Sequence, residues 1–447
     1  MKYWHLQVGL RFGAALAAVM FSGCAGSQLN SGPGSGALQR VSRPLAFQQN
    51  DGSQFVQYSV PCPTALGQMT AGPDGNEWFD SDATCDKHVN RGSIGRINVV
   101  TGQVSEWFIG RAHRAQPGGI ASNAGYLWVA DEHEYGFAGG YLLQVNTSGQ
   151  QVAVIGIGHV TAQELTTGPD GNVWFTGAKG VGRQKPIVGY VTPERGVEVF
   201  PFKANLHVDP ASVSSGPDNN IWVTDRANGI LYQIQPATGT MTPFKVGGHP
   251  AYLTHDSNLL EYSDAVTAQI STINVKGVVN VYPAPAGQFP GRLARKPDGT
   301  IVYIDNSTGE IGTFVAATGT YGPELDPPGG DVTYLANGPD GNLWFDTSSG
   351  NVGAYLKFIL TTSPSSLQWS GPPSGCSPQT LLASETSYSG SFSATSADPT
   401  IASVTQTGNS SFSVTPGMAG TTTINVADGQ SNDVNVAVSV SSSCGSR

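Results

Sequence analysis

Gly168-Pro169-Asp170-Gly171-Asn172-Val173-Trp174-Phe175 recurs along the chain. Near copies run from Gly72 to Phe79, Gly216 to Val223 and Gly338 to Phe345. Weaker copies run from Ser122 to Val129, His255 to Glu261 and Lys296 to Tyr303. Seven copies at a spacing of roughly 40–50 residues set a repeat architecture before any other feature is read.

Pro-Asp-Gly reads as a tight turn: proline pre-sets φ, Asp bonds its own backbone and Gly accepts positive φ. The β-branched and aromatic residues that follow read as a strand. A second strand comes next, such as Gly229–Gln235, then a Thr-Gly turn as at Thr101-Gly102, Thr238-Gly239 and Thr318-Gly319. A further strand closes the unit, and another short one precedes each turn. Four short strands per unit make a β-propeller blade, and the copies predict seven blades. Trp78, Trp128, Trp174, Trp222, Leu260, Val302 and Trp344 hold the same place in successive copies and are expected to pack blade on blade. The last repeat lacks its own fourth strand. Gln54–Val60 resembles one, so the ring is expected to close through the N-terminal segment, which also removes an open sheet edge.

Outside 54–358 the character changes. Residues 1–24 hold Lys2, Arg11 and an apolar run from Phe12 to Phe21, followed by Phe21-Ser22-Gly23-Cys24. This resembles a lipoprotein signal, with Cys24 as the lipidated residue. Residues 25–53 are rich in Ser, Gly and Pro and read as a flexible tether. Together these features place the chain in the cell envelope, lipid-anchored and extracytoplasmic, at the outer membrane or cell surface. Residues 359–447 carry very few charges and show strand-type alternation at Ser391–Ser396, Ile401–Val404, Ser411–Val414, Thr421–Val426 and Val434–Val440. This segment resembles a bacterial Ig-like β-sandwich. The fold class is all-β. With Cys24 lipidated, the remaining cysteines pair naturally as Cys62–Cys85 and Cys376–Cys444, which suits an oxidising compartment. Cys-x-x-Cys spacing is absent, which argues against a zinc site. The net charge of −10 argues against nucleic acid as a partner.

Gly-Pro-Asp-Gly-Asn-x-Trp-Phe, followed by Ile94-Gly95-Arg96-Ile97 in the first blade, resembles the virginiamycin B lyase (streptogramin lyase) family. The resemblance spans about residues 54–358. It implies a seven-bladed propeller and Mg²⁺-dependent opening of a cyclic depsipeptide by elimination. In that family a His base sits in a Pro-His-Gly-Ile stretch ahead of the Trp motif, and carboxylates at strand ends hold the metal. Here the matching stretches are Pro117-Gly-Gly-Ile120, Pro210-Ala-Ser-Val213, Pro250-Ala-Tyr-Leu253 and Pro290-Gly-Arg-Leu293, none with His at that place.

The chemistry that remains is concentrated at Asp131-Glu132-His133-Glu134-Tyr135. Carboxylates beside a His are able to bind a divalent cation or act as acid and base. The candidate catalytic residues are His133, Glu132 and His249, the last just ahead of Pro250. The candidate metal ligands are Asp131, Glu134, Asp225 and Asp305, with Mg²⁺ the possible ion. Because the family His is missing from its place, the expected function is binding of a small molecule or protein at the channel mouth. A metal-dependent carbon–oxygen lyase is the alternative.

Overall fold

The structure is a computed structural model that describes residues 37–41, 45–48, 54–61, 66–81, 92–109, 117–131, 140–180, 185–202, 207–296, 299–355, 360–370, 376–385, 390–428 and 433–444. Among them every regular element is a strand. Seven antiparallel sheets follow one another along the chain. Blade 4 shows the plan: Pro210–Ser215, Ile221–Asp225, Ile230–Gln235 and Thr240–Lys245, each paired with the next. The first strands touch in a closed circuit, blade 1 with 2 and so on round to 7 with 1. That circuit surrounds the central channel of a β-propeller.

Ring closure falls where the sequence places it. Blade 7 supplies Val332–Asn337, Leu343–Thr347 and Asn351–Tyr355, and Gln54–Ser59 pairs antiparallel with the last of these. Two strands fall inside the stretch expected to be a tether. Leu45–Gln48 extends blade 7 beyond Gln54–Ser59, and Ala37–Val41 lies on the outer strand of blade 1. Ala37–Val41 and Leu45–Gln48 thus each add a fifth strand to one of two neighbouring blades.

The repeated octapeptide is a small hydrogen-bonded device. In the third copy Asp170 Oδ1 accepts from Trp174 Nε1 at 3.0 Å while Oδ2 accepts from Asn172 Nδ2 at 2.7 Å. The same pair of bonds recurs at Asp74, Asp218 and Asp340. The indole N–H is thereby satisfied while the ring is fully buried. The leading Gly is required because a Cβ on Gly338 would lie 2.1 Å from Trp344 Cδ1. The second Gly takes positive φ, and in blade 4 Asn219 adopts that conformation at φ 57°. The fifth copy departs from the expectation. Thr254 pairs with Glu261, so Glu261 and not Leu260 holds the Trp place. The turn there is one residue shorter, which shifts the register. Glu261 stays buried by pairing with Arg295 at 2.6 Å, and Arg295 also binds Asp256 at 3.0 Å.

The described residues between 360 and 444 form two four-stranded sheets that face one apolar core of Leu367, Trp369, Leu381, Phe412, Ile424 and Val436. The five strands expected there are present, with Leu360–Ser363, Ser366–Trp369 and Gln379–Glu385 in addition. Cys376 and Cys444 are bonded, with Cα atoms 5.6 Å apart. Cys24, Cys62 and Cys85 lie outside the described residues.

Glu77 is an anomaly in blade 1. The residue before the Trp place is Leu127, Val173, Ile221, Leu260, Ile301 and Leu343 in the other blades. Glu77 is fully buried, and neither carboxyl oxygen has a hydrogen-bond partner. Burial, with the Asp340 carboxylate of blade 7 adding to it, holds its pKa well above the ordinary 4.5. A folded carboxyl that titrates above its unfolded value destabilises increasingly as pH rises past that unfolded value. E77L should therefore be more stable than the native chain by at least about 1 kcal/mol at pH 8. Urea unfolding at several pH values checks this, and the gain should shrink as pH falls toward 4.5.

Candidate functional site

The first strand of each blade lines the channel, and most carry a bulge near the start. Register shifts fall between Leu66 and Met69, Pro117 and Gly119, Ala162 and Leu165, Pro210 and Val213, Pro290 and Leu293, and Val332 and Tyr334. A bulge leaves a residue out of the pleat and re-aims its side chain. Gln68, Glu164 and Arg292 occupy such places in blades 1, 3 and 6. Gly67 and Gly291 precede two of them. A Cβ there would meet Asp80 Oδ1 at 1.8 Å or Asn306 Oδ1 at 2.2 Å.

These side chains meet across the ring. Arg292 Nη1 donates to Glu164 Oε1 at 2.6 Å, joining blade 6 to blade 3. Its guanidinium Cζ lies 4.4 Å from the Tyr252 ring centroid and 4.0 Å from that of Tyr334, which come from blades 5 and 7. Gln68 links blades 1, 2 and 3: Nε2 donates to Leu165 O at 2.7 Å, and Oε1 accepts from Leu165 N at 3.1 Å and Ile120 N at 3.3 Å. The Arg292 and Glu164 side chains keep 20% and 14% exposure, so the group is embedded but open to solvent.

The electrostatics follow from that setting. Desolvation works against the Arg292 charge, yet Tyr334, Glu164 and Tyr252 outweigh it and raise the pKa further. Burial also raises the Tyr334 phenol, against the opposing pull of Arg292. Asp346, in the second strand of blade 7, is fully buried. Desolvation pushes it up to about 6, while the Thr333 hydroxyl, nearby amides and Arg292 pull the other way. Glu164 Oε2 and Asp346 Oδ2 are buried without a hydrogen-bond partner.

The carboxylates expected as metal ligands are used differently. Asp225 accepts from Asp209 N at 3.1 Å and Asn228 Nδ2 at 2.7 Å. Asp305 accepts from Ser307 N at 2.7 Å and from Phe289 N at 3.2 Å. Asp264, not anticipated, does the same for Val266 N, Thr267 N and His249 N. Each of these carboxylates ends a second strand, clamps the turn after it and pins the loop that leads into its own blade. Asp225 and Asp305 turn both oxygens to their own blades rather than to a common cation position. Asp131 is buried at the matching place in blade 2. Asp346 sits one residue earlier in its strand, opposite Tyr334. Among the described residues no three His, Cys, Asp or Glu side chains converge as a metal group. Glu132, His133 and Glu134 lie outside the described residues. His249 is exposed at the rim, its Nδ1 3.2 Å from Arg226 O.

Sequence reasoning puts Arg292 and Tyr252 at strand starts, but not the pairing with Glu164. The available signal is one repeat position, just inside the first strand. Gly and Ser fill it in blades 2 and 4, whereas large polar side chains stand there in blades 1, 3 and 6.

No family model matches the chain, and no curated protein matches its sequence at a significant level. Solved structures do match the fold. Virginiamycin B lyase from Staphylococcus aureus superposes with a TM-score of 0.58 at 16% identity, covering 68% of this chain and 100% of the lyase. The chain shares that fold. A streptogramin B lyase structure gives a TM-score of 0.53 at 18% identity, over 67% of this chain and 96% of its own. The WD40 β-propeller domain of Doa1 gives 0.51 at 12% identity, over 68% and 97%. The architecture is thus shared with a lyase and with a WD40 domain, so function has to be argued from the site.

The buried Asp346 carboxyl yields a test. Its folded value of about 6 lies above the ordinary 3.8, so its contribution to stability is full below 3.8 and lost as pH rises through 6. D346N should remove a pH-dependent loss on the order of 3 kcal/mol, measured as the difference between variant and native urea-unfolding energies from pH 4 to 7.

Proposed function

We propose that this chain is a lipid-anchored, extracytoplasmic propeller that binds a small molecule or a partner protein at its channel mouth and does not open depsipeptide rings. The observation that carries this reading is the channel centre. A clasped Arg292–Glu164 pair flanked by two tyrosines lies there, and among the described residues no His ring nitrogen is hydrogen-bonded to a carboxylate. Elimination needs a base in reach of the proton that it removes. The anchor rests on Phe12–Phe21 and Cys24, and an oxidising compartment accords with the Cys376–Cys444 bond. Residues 54–358 form the binding body in this reading, and 359–447 an Ig-like spacer.

One solved neighbour is a catalytically inactive virginiamycin B lyase from Staphylococcus aureus with quinupristin, at a TM-score of 0.57 and 16% identity. Quinupristin is therefore the substrate for the test. Incubated with the full chain and Mg²⁺, it should remain intact by chromatography with mass detection. A linear product of unchanged mass, abolished by EDTA, would return the chain to the lyases. Asp131, Glu132, His133, Glu134 and His249 would then be the first positions to substitute.

A further inference from the structure

We propose that the seam between blades 7 and 1 is a pH-operated latch: Glu77 with its proton keeps the seam shut, and loss of that proton opens it locally, freeing Gln54–Ser59 while the other blades stay folded. The other seams share one plan. The residue before the Trp place packs with the side chain at the Trp place of the preceding blade. Leu127 shares an apolar cluster with Trp78, Val173 with Trp128, Ile221 with Trp174, Leu260 with Trp222 and Leu343 with Val302. In blade 1 that place belongs to Glu77, and the preceding blade is blade 7 with its buried Trp344. The cross-strand neighbours of Glu77, Ala71 and Ile97, carry no polar side chain, and both of its carboxyl oxygens are buried without a hydrogen-bond partner.

The charges around the seam do not relieve that carboxyl. Asp340 acts on it from blade 7, where it accepts from Trp344 Nε1 at 3.0 Å. On the closing strand the titratable group is Tyr58, stacked on Trp344 and raised by burial and by Asp340. Arg96, in the next strand of blade 1, turns to Asp74 and to Thr147 O of blade 2, away from the seam. Val56 and Tyr58 of the closing strand share one apolar cluster with Phe79, Ile97 and Val104 of blade 1 and Trp344 of blade 7. A carboxylate formed in that layer needs water, because an unpaired buried charge is costly. Burial, with Asp340 adding to it, keeps Glu77 neutral well past the ordinary 4.5. The latch is therefore fully shut below 4.5 and released as pH rises through the folded value. Parting the closing strand from blade 1 admits water without unfolding any other blade. The two blades that carry a fifth strand, 7 and 1, are the two that flank this seam.

Hydrogen exchange of the full chain, followed by mass spectrometry from pH 5 to 9 and corrected for intrinsic exchange rates, tests this. Protection of Gln54–Ser59 should fall about tenfold or more across that range, while Ile230–Gln235 in blade 4 keeps its protection. E77Q, which cannot ionise, should hold both strands protected throughout. E77L, which gives this seam the apolar residue of the others, serves the same purpose if E77Q misfolds. A fall that blade 4 shares equally would mean general destabilisation and overturn the latch. So would a fall that persists in E77Q or E77L, or closing-strand protection in the native chain that does not change with pH.

Discussion

Everything in the channel depends on closing the ring. Seven small sheets share an axis only if the last is held to the first, and here Gln54–Ser59 does the holding from the other end of the propeller sequence. Its pairing with Asn351–Tyr355 supplies the strand that blade 7 lacks and covers its edge. Tyr58 on that strand also stacks on Trp344, with ring centroids 5.8 Å apart. With the circuit of first strands complete, residues separated by 128 positions, Arg292 and Glu164, face each other. Without closure there is no reason for blades 3 and 6 to stay in register across a channel.

Periodic carboxylates are an ambiguous signal in such a ring. Asp225 and Asp305 stand at one place in blades 4 and 6, which in sequence looks like part of a circle of metal ligands, and Asp264 holds the same place in blade 5 between them. The hydrogen bonds explain the period more simply. Blades 4, 5 and 6 turn sharply after the second strand, and a carboxylate there satisfies polar groups that the turn leaves open. The Asp of the octapeptide follows the same logic at the opposite end of that strand, holding the Trp indole and an Asn side chain. Repetition in a propeller reports first on the needs of the blade. Departures from the repeat, such as Arg292, Glu164 and Gln68, are where function has room.

Much of the fold is legible in the sequence because its determinants are local. Pro-Asp-Gly-Asn turns, Trp strands and the orphan strand at Gln54 are each read within a few residues. What is not legible is non-local or register-dependent. Glu261 takes the Trp place because its turn is one residue shorter, a shift visible only once strands are paired. The strands at Ala37–Val41 and Leu45–Gln48 lie in a stretch whose composition says tether, and they exist because two blade edges are there to receive them. The Arg292–Glu164 contact joins opposite sides of a ring, so no spacing announces it. Bulges turn both residues inward, and a bulge depends on pairing rather than on residue type.

The central claim is that these two side chains meet across the channel and act as one unit. A double-mutant cycle measures it directly, with R292M, E164L and the combined variant compared by urea unfolding. For an embedded charge pair the coupling energy should be about 2 kcal/mol, and the double variant should be less destabilised than the sum of the singles. Additive effects, with coupling within about 0.3 kcal/mol of zero, would mean that the pair does not form. The account of a tied, ligand-binding channel would then fail.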